Sequence, residues 1–281
     1  MEAMPQDNII AVLVAEKSVL DFIDKTIDGL LRKSNVKKIY IIVPHSDMDS
    51  FEMKMHSKPV YVVCENELIN TENQERIKQL LRHKNHRYGW YLQQFLKLEF
   101  INYIDEEDYL IWDADTILLK KTIFDRSRFE VSPSLENHTP YFRTLKKLTG
   151  IEKQVNFSFV MQYMMVNKSD LCSFFSLIDH KDPRNWYFRV LECLELDDES
   201  EFSEYESFGN FVAFHSDKKI MITSEKWFRY GAAIYDPEKL KNIEYEYLEK
   251  KFSGYTYVAF ERHSYSLLKR IASRIMAFLR L

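Results

Sequence analysis

The chain has 281 residues, of which 46% are apolar and 29% charged, proportions that suit a soluble globular protein with a sizeable core. Its net charge of −4, with basic residues only in local patches, speaks against a nucleic-acid binder. Three scattered cysteines, Cys64, Cys172 and Cys193, argue against a disulfide framework and a cysteine zinc site and point to a reducing compartment, the cytoplasm.

Residues 9–15 (IIAVLVA) form an unbroken aliphatic run, which reads as a strand buried on both faces. The run is too short for a signal peptide and lacks a basic flank before it, so no leader is expected. Helical spacing follows over residues 18–33, then strands at 38–43 (KIYIIV) and 60–63 (VYVV). Alternation of strand and helix predicts an α/β fold with a doubly wound, mostly parallel sheet flanked by helices. Six glycines in all leave neither a dinucleotide fingerprint nor a phosphate loop. A polar helix is expected over 73–83 and a strong one over 90–104, before the short strand 109–112 (YLIW). Further on, 157–166 reads as a strand, 169–178 as a helix, 207–214 as a helix and 219–223 as a strand. No linker or repeat divides the chain, so one domain is expected over 1–260, followed by a basic amphipathic helix over 261–281. Aromatics reach 15%. Most belong to a core, but Trp227, Phe228 and Tyr230 could also make a sugar-stacking platform.

The sharpest chemical signal is Asp113-Ala114-Asp115 at the end of YLIW. On an extended segment, side chains two apart point the same way, so both carboxylates would meet just past the strand end, where open α/β sheets bind ligands. Two carboxylates at one point repel unless a cation lies between them. Mg²⁺ or Mn²⁺ would settle that and keep sites for phosphate oxygens. The plainer alternative is an Asp pair that caps a turn.

Three strings in order, GWYLQQFLKL, YLIWDADT and FSEYESFGN, resemble bacterial GT-A glycosyltransferases with a DxD motif. More narrowly they are similar to a poorly characterised group of glycosyltransferase-like proteins, many of them associated with surface polysaccharides. The resemblance spans about residues 9–230. It implies a nucleotide-diphosphate sugar donor and Mn²⁺ or Mg²⁺, with Asp113 at ribose or metal and Asp115 on the metal. Arg87, Gln93, Gln94 and Lys97 lie in the region that meets the donor in similar enzymes, and a fixed positive charge there would steady a departing diphosphate. A carboxylate at the start of the FSEYESFGN helix would serve as general base of an inverting reaction. Ser203 and Glu206 have the spacing of a capping box. That gives Glu206 a structural task and leaves Glu204, expected to be exposed in the first turn, as the first candidate and Glu206 as the second. His263, with His215 next, is the candidate third metal ligand.

Residues 266–281 (SLLKRIASRIMAFLRL) put apolar side chains on one half of a helix and Lys269, Arg270, Arg274 and Arg280 on the other. This suits an anionic membrane surface, and equally a helix docked on the domain or a second subunit. The expectation is a hexosyltransferase acting on a glycan or lipid-linked glycan, peripheral on the inner face of the cell membrane. The rivals are a sugar nucleotidyltransferase, disfavoured by the absence of a Gly-rich N-terminal loop, and a non-catalytic carbohydrate-binding protein.

Overall fold

The computed structural model describes residues 8–261 other than Pro133, Leu135 and Leu196. The candidate ligand His263 and the basic amphipathic segment 266–281 lie outside the described residues. The strands are β1 (Ile9–Val14), β2 (Val36–Val43), β3 (Val60–Cys64), β4 (Asp108–Trp112), β5 (Thr116–Leu118), β6 (Arg128–Val131), β7 (Tyr163–Asn167), β8 (Lys219–Ile222), β9 (Trp227–Phe228) and β10 (Tyr257–Ala259). The α-helices are α1 (Ile23–Lys33), α2 (Met48–Met55), α3 (Glu65–Leu68), α4 (Thr71–Leu80), α5 (Tyr88–Glu99), α6 (Thr139–Thr149), α7 (Lys168–Ile178), α8 (Trp186–Cys193), α9 (Glu204–His215), α10 (Gly231–Ile234) and α11 (Tyr245–Lys251). The fold is mixed α/β, with a mostly parallel main sheet and flanking helices, as the strand–helix alternation implies. No described helix is long and apolar enough to cross a membrane.

The chain divides into two compact units. One comprises Met1–Val63, Trp112–Phe124 and Ser224–Leu281, the other Cys64–Ile111 and Asp125–Thr223. The chain passes from one to the other four times, so no linker composition marks them in the sequence.

In the first unit β3, β2 and β1 lie side by side in that order. β1 and β2 are parallel, in register from Ile10 opposite Lys38 to Val14 opposite Ile42. The unbroken aliphatic run of β1 is buried on both faces, as its composition requires. Helix α1 begins at Ile23 rather than at residue 18, because Phe22 (φ −135°) breaks the helical path after a 3₁₀ turn at Lys17–Val19. Ile23, Ile27 and Leu30 of α1 are fully buried. A three-stranded sheet completes the unit, with β10 antiparallel to β5 and parallel to β9. Phe22, Ile117, Phe228, Leu248, Phe252 and Phe260 share its core. Phe228 is therefore a core residue, while Trp227 stacks on Tyr257 with ring centroids 5.6 Å apart. Tyr230 packs against the same cluster. These three side chains do not form the open stacking platform considered from the sequence.

In the second unit β7 neighbours β4. The two run in opposite directions, since Lys168 N donates to Glu107 O (2.8 Å) and Asn167 Nδ2 to Asp108 Oδ1 (3.0 Å), joining the end of one strand to the start of the other. The expected strand 157–166 is shorter than its apolar run suggests: only Tyr163–Asn167 is extended. The chain enters it through Gln162, whose φ of 72° is incompatible with a strand. β6 and β8 form a separate parallel pair. Trp186 of α8 lies in an aromatic interior with Phe95, Phe175 and Phe202.

Candidate functional site

The Asp113-Ala114-Asp115 segment is a turn, not a continuation of β4. Thr116 N–H returns to Asp113 O at 3.0 Å and β5 starts at once. The strand alternation assumed for the two carboxylates therefore does not apply, and the bend itself sets their directions. Its backbone is tied from several elements of the first unit. Thr26 Oγ1 of α1 donates to Ala114 O (3.0 Å), and Phe260 N–H, just past β10, donates to Asp115 O (2.9 Å). Trp112 Nε1 donates to Thr116 O (2.8 Å), closing the bend from the strand side. Ala114 is buried, while Asp113 and Asp115 are half-buried. The Thr116 hydroxyl lies 3.3 Å from Asp115 Oδ1.

Among the described residues no group of three or more Asp, Glu, His or Cys side chains is placed to hold a metal ion. Were both carboxylates to meet one ion, they would suit a hard cation such as Mg²⁺ or Mn²⁺ that completes its shell with water and phosphate oxygens.

The other candidates belong to the second unit. Arg87 is committed to a neighbouring loop: its Nε donates to Glu199 O (3.0 Å), one terminal nitrogen donates to Ser200 Oγ (2.7 Å), and its guanidinium lies 4.3 Å from the Trp90 ring centroid. That loop is acidic, and His86, His138 and Arg143 pair with Glu199, Asp198 and Asp197. Gln93 is half-buried on α5, whereas Gln94 turns inward and accepts from Glu204 N–H at 3.0 Å.

Lys97 and Glu204 form a buried ion pair at 2.7 Å, each about 3% exposed. This corrects the expectation that Glu204 is exposed. Helix α9 is mostly apolar after its first turn and is buried from Glu204 to Val212, so Glu204, Glu206, Ser207 and Asn210 all lie inside. A carboxylate placed there needs a cation, and Lys97 supplies it. The Lys97 charge that the sequence offers to a diphosphate is thereby neutralised within the fold.

Ser203 caps α9 as its spacing implies, its hydroxyl accepting from Glu206 N–H at 3.3 Å. The reciprocal half of the capping box does not form. The Glu206 carboxylate instead takes the Ser158 hydroxyl and, at 3.3 Å, Asn210 Nδ2. Burial holds its pKa above the ordinary carboxylate range, partly offset by the Ser158 hydrogen bond. His215, at the end of α9, is exposed and stacks on Phe211. Two residues that sequence reasoning missed are Thr26, which holds the bend, and Glu99, a buried acid on α5.

Comparison with known proteins adds the following. A family model described as "Family of unknown function (DUF6492)" matches residues 16–208. No curated protein matches the sequence. Among solved structures, that of the galactosyltransferase LgtC in complex with donor and acceptor sugar analogs is similar at a TM-score of 0.51 and 10% identity, covering 96% of this chain and 95% of LgtC. An active-site mutant of LgtC gives the same TM-score at 11% identity, covering 96% of each chain. Mouse xyloside xylosyltransferase 1 in its apo form aligns over 89% of this chain and 97% of its own, at 8% identity and a TM-score of 0.47. At these identities the likeness to LgtC establishes the fold, which is the GT-A-like architecture expected from the sequence.

Proposed function

The chain belongs to the DUF6492 family, and we propose that it is a metal-dependent glycosyltransferase that moves a sugar from a nucleotide-diphosphate sugar to a glycan acceptor. The observation that carries this reading is the Asp113-Ala114-Asp115 turn at the end of a sheet strand, in a fold shared with a galactosyltransferase. Ligands of open α/β sheets bind beyond the carboxyl ends of the strands, and the bend puts Asp113 and Asp115 directly after the carboxyl end of β4.

In this reading Asp113 and Asp115 hold Mn²⁺ or Mg²⁺. When bound, the ion would act as a Lewis acid toward the donor diphosphate. The chain's own contribution is a bend whose carbonyls are already hydrogen-bonded, so that the backbone carrying the two carboxylates is held in place. Glu204, neutralised by Lys97, is not poised to take a proton from an acceptor hydroxyl, so the inverting course loses the first of its two candidate bases. The acceptor we propose is a glycan or lipid-linked glycan of a bacterial surface polysaccharide. The basic amphipathic residues 266–281 would bring the enzyme to an anionic inner membrane face.

The test is a thermal-shift screen of UDP-, GDP-, CMP- and dTDP-sugars with and without Mn²⁺, repeated on Asp115→Ala. A ligand that binds only the folded state raises its melting point. One nucleotide sugar should stabilise the wild type in Mn²⁺ and lose that effect in the variant. Equal stabilisation of both proteins, or retained transfer in chelator, would remove the metal from the reading.

A further inference from the structure

We infer that Thr26 is a positioning residue for the metal-binding bend: its hydroxyl fixes the peptide plane that carries Asp115. This rests on the metal-dependent reading above. Thr26 lies on α1, 88 positions from its partner, and is fully buried. A threonine inside a helix commonly turns its hydroxyl back to a carbonyl of its own preceding turn. Here it donates instead to Ala114 O at 3.0 Å.

The geometry gives that bond a specific consequence. The Ala114 carbonyl belongs to the same rigid peptide plane as the Asp115 N–H. Holding that oxygen therefore fixes the backbone rotations on either side of it, and with them the direction in which Asp115 leaves the chain. The preceding plane is held by Thr116 N–H on Asp113 O, and the following one by Phe260 N–H on Asp115 O. Three consecutive carbonyls are thus each held, and of the three donors only Thr26 is a side chain. Ala114 is buried, and a buried carbonyl calls for a hydrogen-bond partner of this kind.

The approach of α1 that makes this reach possible depends on Gly29, on the same helical face one turn on. A Cβ there would lie 2.6 Å from Leu118 O of β5. Glycine lets the helix sit against the strand closely enough for a side chain as short as threonine to meet the bend.

The experiment compares Thr26→Val, which keeps the shape and removes the hydroxyl, with Thr26→Ser, which keeps the hydroxyl. The probe is Mn²⁺ alone, its binding followed by electron paramagnetic resonance, with melting temperature recorded alongside and Asp115→Ala as reference. Loss of a partner that orients a metal ligand typically weakens affinity by about 10- to 100-fold. Thr26→Val should therefore bind Mn²⁺ at least about tenfold more weakly, and Thr26→Ser should match the wild type. Should the valine variant not fold, Thr26→Ala takes its place with the same expectation. If the valine or alanine variant melts lower but binds Mn²⁺ as tightly as the wild type, while Asp115→Ala has lost binding, Thr26 serves stability only and the inference is overturned. If Asp115→Ala binds Mn²⁺ like the wild type, or the wild type binds none, the metal reading itself falls and takes the inference with it.

Discussion

Glu99 closes α5 with its side chain about 5% exposed, and its two hydrogen-bond donors, Trp186 Nε1 and Asn102 Nδ2, are both neutral. Burial pushes its carboxyl up to about 7 from an ordinary 4.5, a rise that the two hydrogen bonds only partly offset. The gap, at roughly 1.4 kcal/mol per pH unit, amounts to about 3 kcal/mol. The folded state holds this proton more tightly than the unfolded chain does. As pH rises through 4.5 the unfolded chain releases its proton first, so stability falls from there until about pH 7 and is level above. Glu99→Gln has no proton to lose, and its amide oxygen can still accept from Trp186 once Asn102 turns its own oxygen toward the new amide. The variant should match the wild type near pH 4.5 and gain up to about 3 kcal/mol at pH 8. The assay is denaturant unfolding of both proteins at pH 5, 6, 7 and 8, and the quantity of interest is the difference between them, which cancels every other titrating group. Parallel stability curves across that range, or a variant less stable at pH 8, would show that no buried charge is being relieved and would refute the reasoning.

Two further substitutions probe the same framework. Lys97→Met leaves the Glu204 carboxylate buried without its cation and should cost about 3–5 kcal/mol, whereas Lys97→Met combined with Glu204→Gln should lose less than the two single changes together. Strict additivity in that unfolding cycle would mean that the two groups do not interact. Gly29→Ala places a Cβ 2.6 Å from Leu118 O and 3.2 Å from Leu118 N, so it should destabilise by about 1–3 kcal/mol and lower the melting temperature by a few degrees. An unchanged melting temperature would show that α1 is not pressed against β5.

The parts of this protein that were legible in the sequence are those whose cause lies within a turn of chain. β1 and β2 announce themselves because burial on both faces demands an unbroken aliphatic run, and the run is local. Ser203 is legible as a cap because the N–H it accepts is three residues on. The Asp113–Asp115 pair stands out for the same reason, although the alternation used to orient it was the wrong rule: a hydrogen bond spanning three residues makes the segment a turn. What stayed hidden is what sits across from a residue. Thr26 is one more threonine in an amphipathic helix until Ala114, 88 positions away, is placed beside it. Lys97 and Glu204 show the point most sharply. Read alone, one is a free cation for a diphosphate and the other a free base for a hydroxyl, and each reading is chemically sound. They are incompatible once the two side chains meet at 2.7 Å in the interior, because each then spends its charge on the other. Local sequence states which charges a chain owns, but only packing decides which of them remain available for a substrate.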